Sequence, residues 1–189
     1  MRRTHGVVPP PTVPTRRPEQ VHGPGERHEI PGVRLLLNPH AGHRNRPRGR
    51  MVGMRGLIVD YCGVLDGAEE DRRRWRKLLT ALRQEGVATA ILSNDPGGSG
   101  ADPIRTWQEA GYVDHVVLSG EIGAEKPGEE AFRVTAERME LPQSDCVLVD
   151  DSILNIRGAV ENGLVAVYYQ QFDRAVVEIV NLFDVEGEF

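Results

Sequence analysis

Four short clusters in this 189-residue chain carry residue types able to do nucleophilic or metal-assisted chemistry. They are Asp60 with Cys62 and Gly63, Ser93 with Asn94, Lys126 beside Pro127, and the acidic pair Asp150-Asp151 with Asn155 downstream. A carboxylate can attack an electrophile or bind a hard cation, a hydroxyl can donate to an anionic oxygen, and an ammonium can neutralise developing charge. Taken singly, each has a bland reading: a strand-end Asp forms a turn, Ser93 caps a helix, and Lys126 is a solvated charge. Their setting is what argues for chemistry.

Asp60, Ser93 and Asp150 each end an apolar run: Leu57-Ile58-Val59, then Val87 to Leu92, then Val147-Leu148-Val149. Val116-Val117-Leu118 and Leu164 to Tyr168 are further runs of the same kind, and Lys126 opens the helix after the third strand. Amphipathic segments lie between. One presents Trp75, Leu78, Leu79 and Leu82 at i, i+3, i+4, i+7 spacing, with Gly86 closing it and Asp66 and Glu69 reading as a capping box at its start. Arg72, Arg73, Arg74, Arg76 and Lys77 fall mostly on its outer face, as a solvated charge run. Asp102-Pro103 opens a short helix after the glycine-rich stretch 96–100, and helices are predicted over about 127–140, about 153–162 and at the C-terminal end.

Continuous apolar strands alternating with helices predict an α/β fold with a doubly wound, Rossmann-like parallel sheet of about five strands, covered on both faces. Ligands of such sheets bind beyond the carboxyl ends of the strands. That is where all four clusters fall.

With these motifs in order, residues 55–183 resemble the haloacid dehalogenase superfamily. Its first motif, Asp-x-Asp-Gly, corresponds to Asp60-Tyr61-Cys62-Gly63, and its Ser/Thr motif to Ser93. Its Lys-Pro pair corresponds to Lys126-Pro127, and its acidic pair to Asp150-Asp151. The resemblance implies Asp60 as nucleophile forming an aspartyl-phosphate, with Ser93 and Lys126 as its catalytic partners. Ser93, Asn94 and Lys126 would bind substrate. Mg²⁺ would be held by the Asp60 carboxylate, the Cys62 main-chain carbonyl and Asp151, with Asp150 beside them and Asn155 orienting the set. In family phosphatases the second Asp of the first motif is the general acid. The resemblance therefore predicts that Cys62 stands in place of that acid, leaving a phosphatase of low or specialised activity. The other readings are a non-catalytic module retaining the phosphate and Mg²⁺ site, and a dehalogenase, which the acidic pair disfavours.

The intervals between motifs leave no room for a substantial cap domain. An open rim suits a phosphorylated substrate, macromolecular ones included, or a second copy or partner that covers the site.

Charge divides the chain. Residues 1–52 hold ten Arg and three Glu, the remainder 13 Lys plus Arg against 25 Asp plus Glu. The first segment is rich in Pro and Arg and has no aromatic residue, so it is predicted to be disordered, with residues 53–189 forming the domain. Without stacking side chains, nucleic-acid binding is disfavoured. Translation starting at Met51 or Met54 is the sharper expectation for this segment. No run approaches the ~18 apolar residues of a membrane span. Two cysteines make no disulfide framework, so a cytoplasmic location is expected.

Overall fold

A computed structural model describes residues 54–189. The expectations for residues 1–52 and for a start at Met51 fall outside the described residues.

Five strands, β1 (Gly56–Val59), β2 (Ala88–Ser93), β3 (His115–Leu118), β4 (Cys146–Asp150) and β5 (Val165–Tyr168), form one sheet. The order is β3-β2-β1-β4-β5 and every pairing is parallel. Among the described residues, six α-helices surround it: α1 (Glu69–Gln84), α2 (Asp102–Glu109), α3 (Ser119–Ile122), α4 (Glu129–Arg138), α5 (Ile153–Glu161) and α6 (Phe172–Phe183). This is the doubly wound architecture that the strand pattern predicts. Among the described residues, no cap domain interrupts the connections from β1 to α1 or from β2 to β3.

Side chains alternate across a strand, so each strand serves two cores. Leu57, Val59, Val147 and Val149 face one core, with Trp75, Leu78, Leu79 and Leu82 of α1, Trp107 of α2 and Phe172 and Ile179 of α6. Ile58, Leu148 and Cys146 face the other, with Phe132 and Ala136 of α4 and Ala159 of α5. The helical spacing of Trp75 to Leu82 therefore reports burial, and Cys146 fills core space.

One strand boundary, one cap and one charge run differ from the sequence pattern for identifiable reasons. Val87 donates its N–H to the Leu82 carbonyl at 3.0 Å, closing the turn after α1, so β2 begins one residue later and takes in Ser93. The predicted capping box is absent: Ala68 precedes α1 and no side chain caps it. Asp66 instead accepts the Gly63 N–H at 2.7 Å, which fastens the turn after β1. The charge run on α1 is only partly solvated. The Arg74 guanidinium bonds Asp173 at 2.5 Å and lies 4.3 Å from the Phe172 ring centre, tying α1 to α6. Arg76 bonds Glu69 at 2.8 Å and lies over Trp107. No helix among the described residues is long and apolar enough to cross a membrane.

Candidate active site

The sheet order reverses direction between β1 and β4, the switch point at which open α/β sheets bind ligands. Asp60 follows the last residue of β1, Asp150 ends β4, and Ser93 ends β2 on the other side of β1. Three adjacent strands thus deliver three polar side chains to one place. All are nearly or wholly buried, with Asp60 6%, Ser93 1% and Asp150 0% exposed.

Lys126 enters from the loop between α3 and α4. Its Nζ lies 2.7 Å from Asp60 Oδ1 and 2.7 Å from Asp150 Oδ2. Asp150 is saturated: besides Lys126, its Oδ1 accepts the Ser152 N–H at 2.8 Å, and Asn155 Nδ2 reaches Oδ1 and Oδ2 at 3.0 and 3.1 Å. Asp60 Oδ1 also accepts the Tyr61 N–H at 2.7 Å. Burial pushes the Asp60 carboxyl up to about 6, outweighing the lowering by Lys126. One ammonium therefore serves two buried carboxylates, and Asp151 adds a third carboxylate that is exposed. Asp60, Asp150 and Asp151 each bring an oxygen within 4.8 Å of the others. Partial desolvation, then Asp150, raises the Asp151 carboxyl from its ordinary range.

This is a hard, oxygen-only donor set with excess negative charge, which fits Mg²⁺. The turn after β1 is shaped for it. Gly63 has φ +79°, and a Cβ there would come within 2.1 Å of Asp151 Oδ2. A methyl group would therefore displace the Asp151 carboxylate as well as strain the turn. Gly63→Ala is expected to remove most of the Mg²⁺-dependent rise in melting temperature, as read by thermal denaturation with Mg²⁺ or chelator.

Asp60 also predicts a pH dependence. Its carboxyl is raised from 3.8 to about 6 in the folded protein, so between those values the folded state holds more protons than the unfolded state. Its contribution is full below 3.8 and is lost as pH rises through about 6. Metal-free protein should thus lose up to about 3 kcal/mol over that window. Denaturant titrations in chelator at several pH values would show it, and Asp60→Asn should flatten the profile.

Ser93 Oγ is buried and has no hydrogen-bond partner among the described residues. A buried hydroxyl left unmatched costs stability, and such an atom in a polar site is suited to a ligand. Asn94 is engaged differently. Its Nδ2 donates to the Lys126 carbonyl at 2.8 Å and its Oδ1 accepts the Lys126 N–H at 2.8 Å. Both ends of the amide grip the Lys126 main chain, so the end of β2 fixes where the lysine emerges.

The family model for haloacid dehalogenase-like hydrolases matches residues 26–163. The chain belongs to the haloacid dehalogenase-like hydrolase family. An uncharacterized protein from Corynebacterium glutamicum ATCC 13032 Kitasato, of known crystal structure, is 70% identical, with a TM-score of 0.72 over 72% of this chain and all of that one. A haloacid dehalogenase-superfamily hydrolase from Ehrlichia chaffeensis shares the fold at 18% identity and a TM-score of 0.55, covering 71% of this chain and 98% of that one. Human N-acylneuraminate-9-phosphatase is 32% identical over 92 residues, or 48% of this chain, and the match spans only 37% of that protein.

For this haloacid dehalogenase-like hydrolase, one expectation is corrected. The motif comparison predicts a site defined by a cysteine in place of an acid. The gathered carboxylates are instead all aspartates, Asp60, Asp150 and Asp151, and the Cys62 thiol is not among them. Cys62 is exposed on the turn after β1, whereas the aspartates come from the ends of the adjacent strands β1 and β4. Partial desolvation, reinforced by Asp60, Asp66 and Asp95, pushes the thiol up and keeps it neutral.

The structure also adds positioning residues that sequence reasoning misses. Asp95 accepts the Ser119 hydroxyl at 3.1 Å and the Gly120 N–H at 3.0 Å through its carbonyl, joining the loop after β2 to the start of α3. Gly158 lets α5 lie against Pro127, since a Cβ would come within 2.6 Å of it. Glycine inside a helix is the signal for such a close approach.

Proposed function

We propose that this haloacid dehalogenase-like hydrolase cleaves phosphoesters with Mg²⁺, through an aspartyl-phosphate on Asp60. The observation that carries the reading is the pair of buried strand-end carboxylates bridged by Lys126, with Asp151 completing the acidic set and the unpartnered Ser93 hydroxyl alongside.

An Asp60 carboxylate oxygen attacks phosphorus, the ester P–O bond breaks and the leaving oxygen takes a proton from water; a further water then hydrolyses the acyl phosphate, releasing inorganic phosphate and restoring the Asp60 carboxylate. Ser93 donates to a phosphoryl oxygen, and Lys126 balances charge on the phosphoryl group and on Asp60. Asp60, Asp151 and the Cys62 main-chain carbonyl would hold Mg²⁺, with Asp150 holding Lys126 and Asn155 beside them. When bound, the ion would neutralise phosphoryl charge. Asn94 acts through its grip on the Lys126 main chain. The free thiols of Cys62 and Cys146 support a reducing, cytoplasmic setting.

Steady-state hydrolysis of an aryl phosphate by the full chain, with Mg²⁺ and with chelator, tests this. Turnover only with Mg²⁺ is expected. Absence of turnover with Mg²⁺, or equal turnover in chelator, would overturn it.

A further inference from the structure

Five large apolar side chains are markedly exposed among the described residues, Ile153, Leu154, Val160, Tyr168 and Val177. Scattered apolar exposure is ordinary, but grouping beside a buried polar site is not. Ile153 and Leu154, 46% and 62% exposed, open α5 two and three residues after Asp151. Asn155, the next residue, hydrogen-bonds Asp150, so this turn of α5 stands at the rim of the site. Tyr168, 45% exposed, pairs in register with Asp150 at the end of the neighbouring strand. Val167 and Tyr169 pack into the core beneath α1 and α6, whereas Ala166 packs beneath α4 and α5. Alternation therefore puts Tyr168 on the face that α5 covers.

Charge around the rim points the same way. Asp66, Asp95, Glu121 and Glu125 lie on the loops and short helix that follow β1, β2 and β3. Arg105 is already bound to Glu121 at 2.6 Å, and Lys126 to Asp60 and Asp150. Arg157 lies one turn further along α5. Glu121 being paired with Arg105, a second anionic group on the substrate would meet Asp66 and Asp95 at the rim, whereas an apolar leaving group would cover Ile153, Leu154 and Tyr168.

We propose that Ile153, Leu154 and Tyr168 seat the leaving group, making the site selective for phosphomonoesters of neutral, apolar alcohols or phenols. This rests on the phosphoester reading above. On an open rim about two of the five added methylenes would be buried, at about 0.8 kcal/mol each, so hexyl phosphate should exceed methyl phosphate in kcat/KM by roughly 10-fold, mainly through KM. Phosphoglycolate, with its added carboxylate, should fall below methyl phosphate.

The test is kcat/KM for these three esters, with Mg²⁺, on the full chain and on an Ile153→Ser, Leu154→Ser double variant and Tyr168→Ser. A hexyl-to-methyl ratio that falls several-fold in each variant supports the seat. Equal rates on all three esters, or a ratio that survives both variants, would overturn it while leaving phosphoester hydrolysis standing. Should none of the three turn over, the aryl phosphate assay above decides the phosphoester reading separately. Calorimetric binding of hexylphosphonate against methylphosphonate then decides the seat: a hexyl preference lost in the variants supports it, and no preference overturns it.

Discussion

Asp60→Asn should remove roughly 10⁴- to 10⁶-fold of the turnover while leaving the fold at least as stable as before. The two halves of that result have one cause. Asp60 is the carboxylate nearest the reacting phosphorus in the proposed mechanism, and an amide cannot form the acyl phosphate. The same carboxylate is buried, and its pKa is raised to about 6 by desolvation, so its ionised form is a burden on the folded protein at neutral pH. Lys126 keeps Asp150 as its partner at 2.7 Å, so the ammonium is not stranded by the substitution. Activity assays paired with thermal melting in chelator would read both effects. A variant that is inactive because it is unfolded, or one that keeps a tenth of the wild-type rate, would contradict the assignment.

Lys126→Ala should act in the opposite direction on stability. Lys126 is 3% exposed and is the ammonium shared by Asp60 and Asp150. Removing it strands two buried carboxylates, and breaking a buried pair in this way costs about 3–5 kcal/mol. The melting temperature at neutral pH should fall by on the order of 10 °C. Two conditions should recover part of the loss: lowering the pH, which neutralises Asp60, and adding Mg²⁺, which replaces positive charge. Turnover should drop by roughly 10²- to 10³-fold even where the variant is folded, because charge stabilisation at the phosphoryl group is lost. Melting curves at pH 5 and pH 8, with and without Mg²⁺, would check the sign of each effect. A variant as stable as wild type at pH 8 without metal would show that the bridge carries no such weight.

The sequence pattern foretells the sheet and the rim better than the contacts at the rim. A strand buried on both faces reads as an unbroken apolar run, so β1, β2 and β4 are visible in Leu57 to Val59, Val87 to Leu92 and Val147 to Val149. A parallel sheet puts its ligands at strand carboxyl ends, which gathers Asp60, Ser93 and Asp150 without any coordinate. Hydrogen-bond choices are different, because a short polar side chain has several partners within reach of its own backbone. Asp66 has the spacing of a helix cap yet binds the Gly63 N–H, and Asn94 sits beside Ser93 yet spends both ends of its amide on Lys126. Those partners are chosen by the fold. Cys62 shows the limit of motif comparison: aligning position 62 with an acid suggests a site of low or specialised activity, whereas the carboxylates that assemble in space come from positions 60, 150 and 151. The arginines of α1 show a related limit, since periodicity reports which face a side chain leaves from and not whether Phe172 or Trp107 waits beneath it.

The stereochemical course at phosphorus, followed with a chirally labelled aryl phosphate in the presence of Mg²⁺, tests the aspartyl-phosphate on Asp60 most directly. Two successive in-line displacements, first by Asp60 and then by water, predict net retention of configuration. Net inversion, the signature of a single attack by water, would contradict the account.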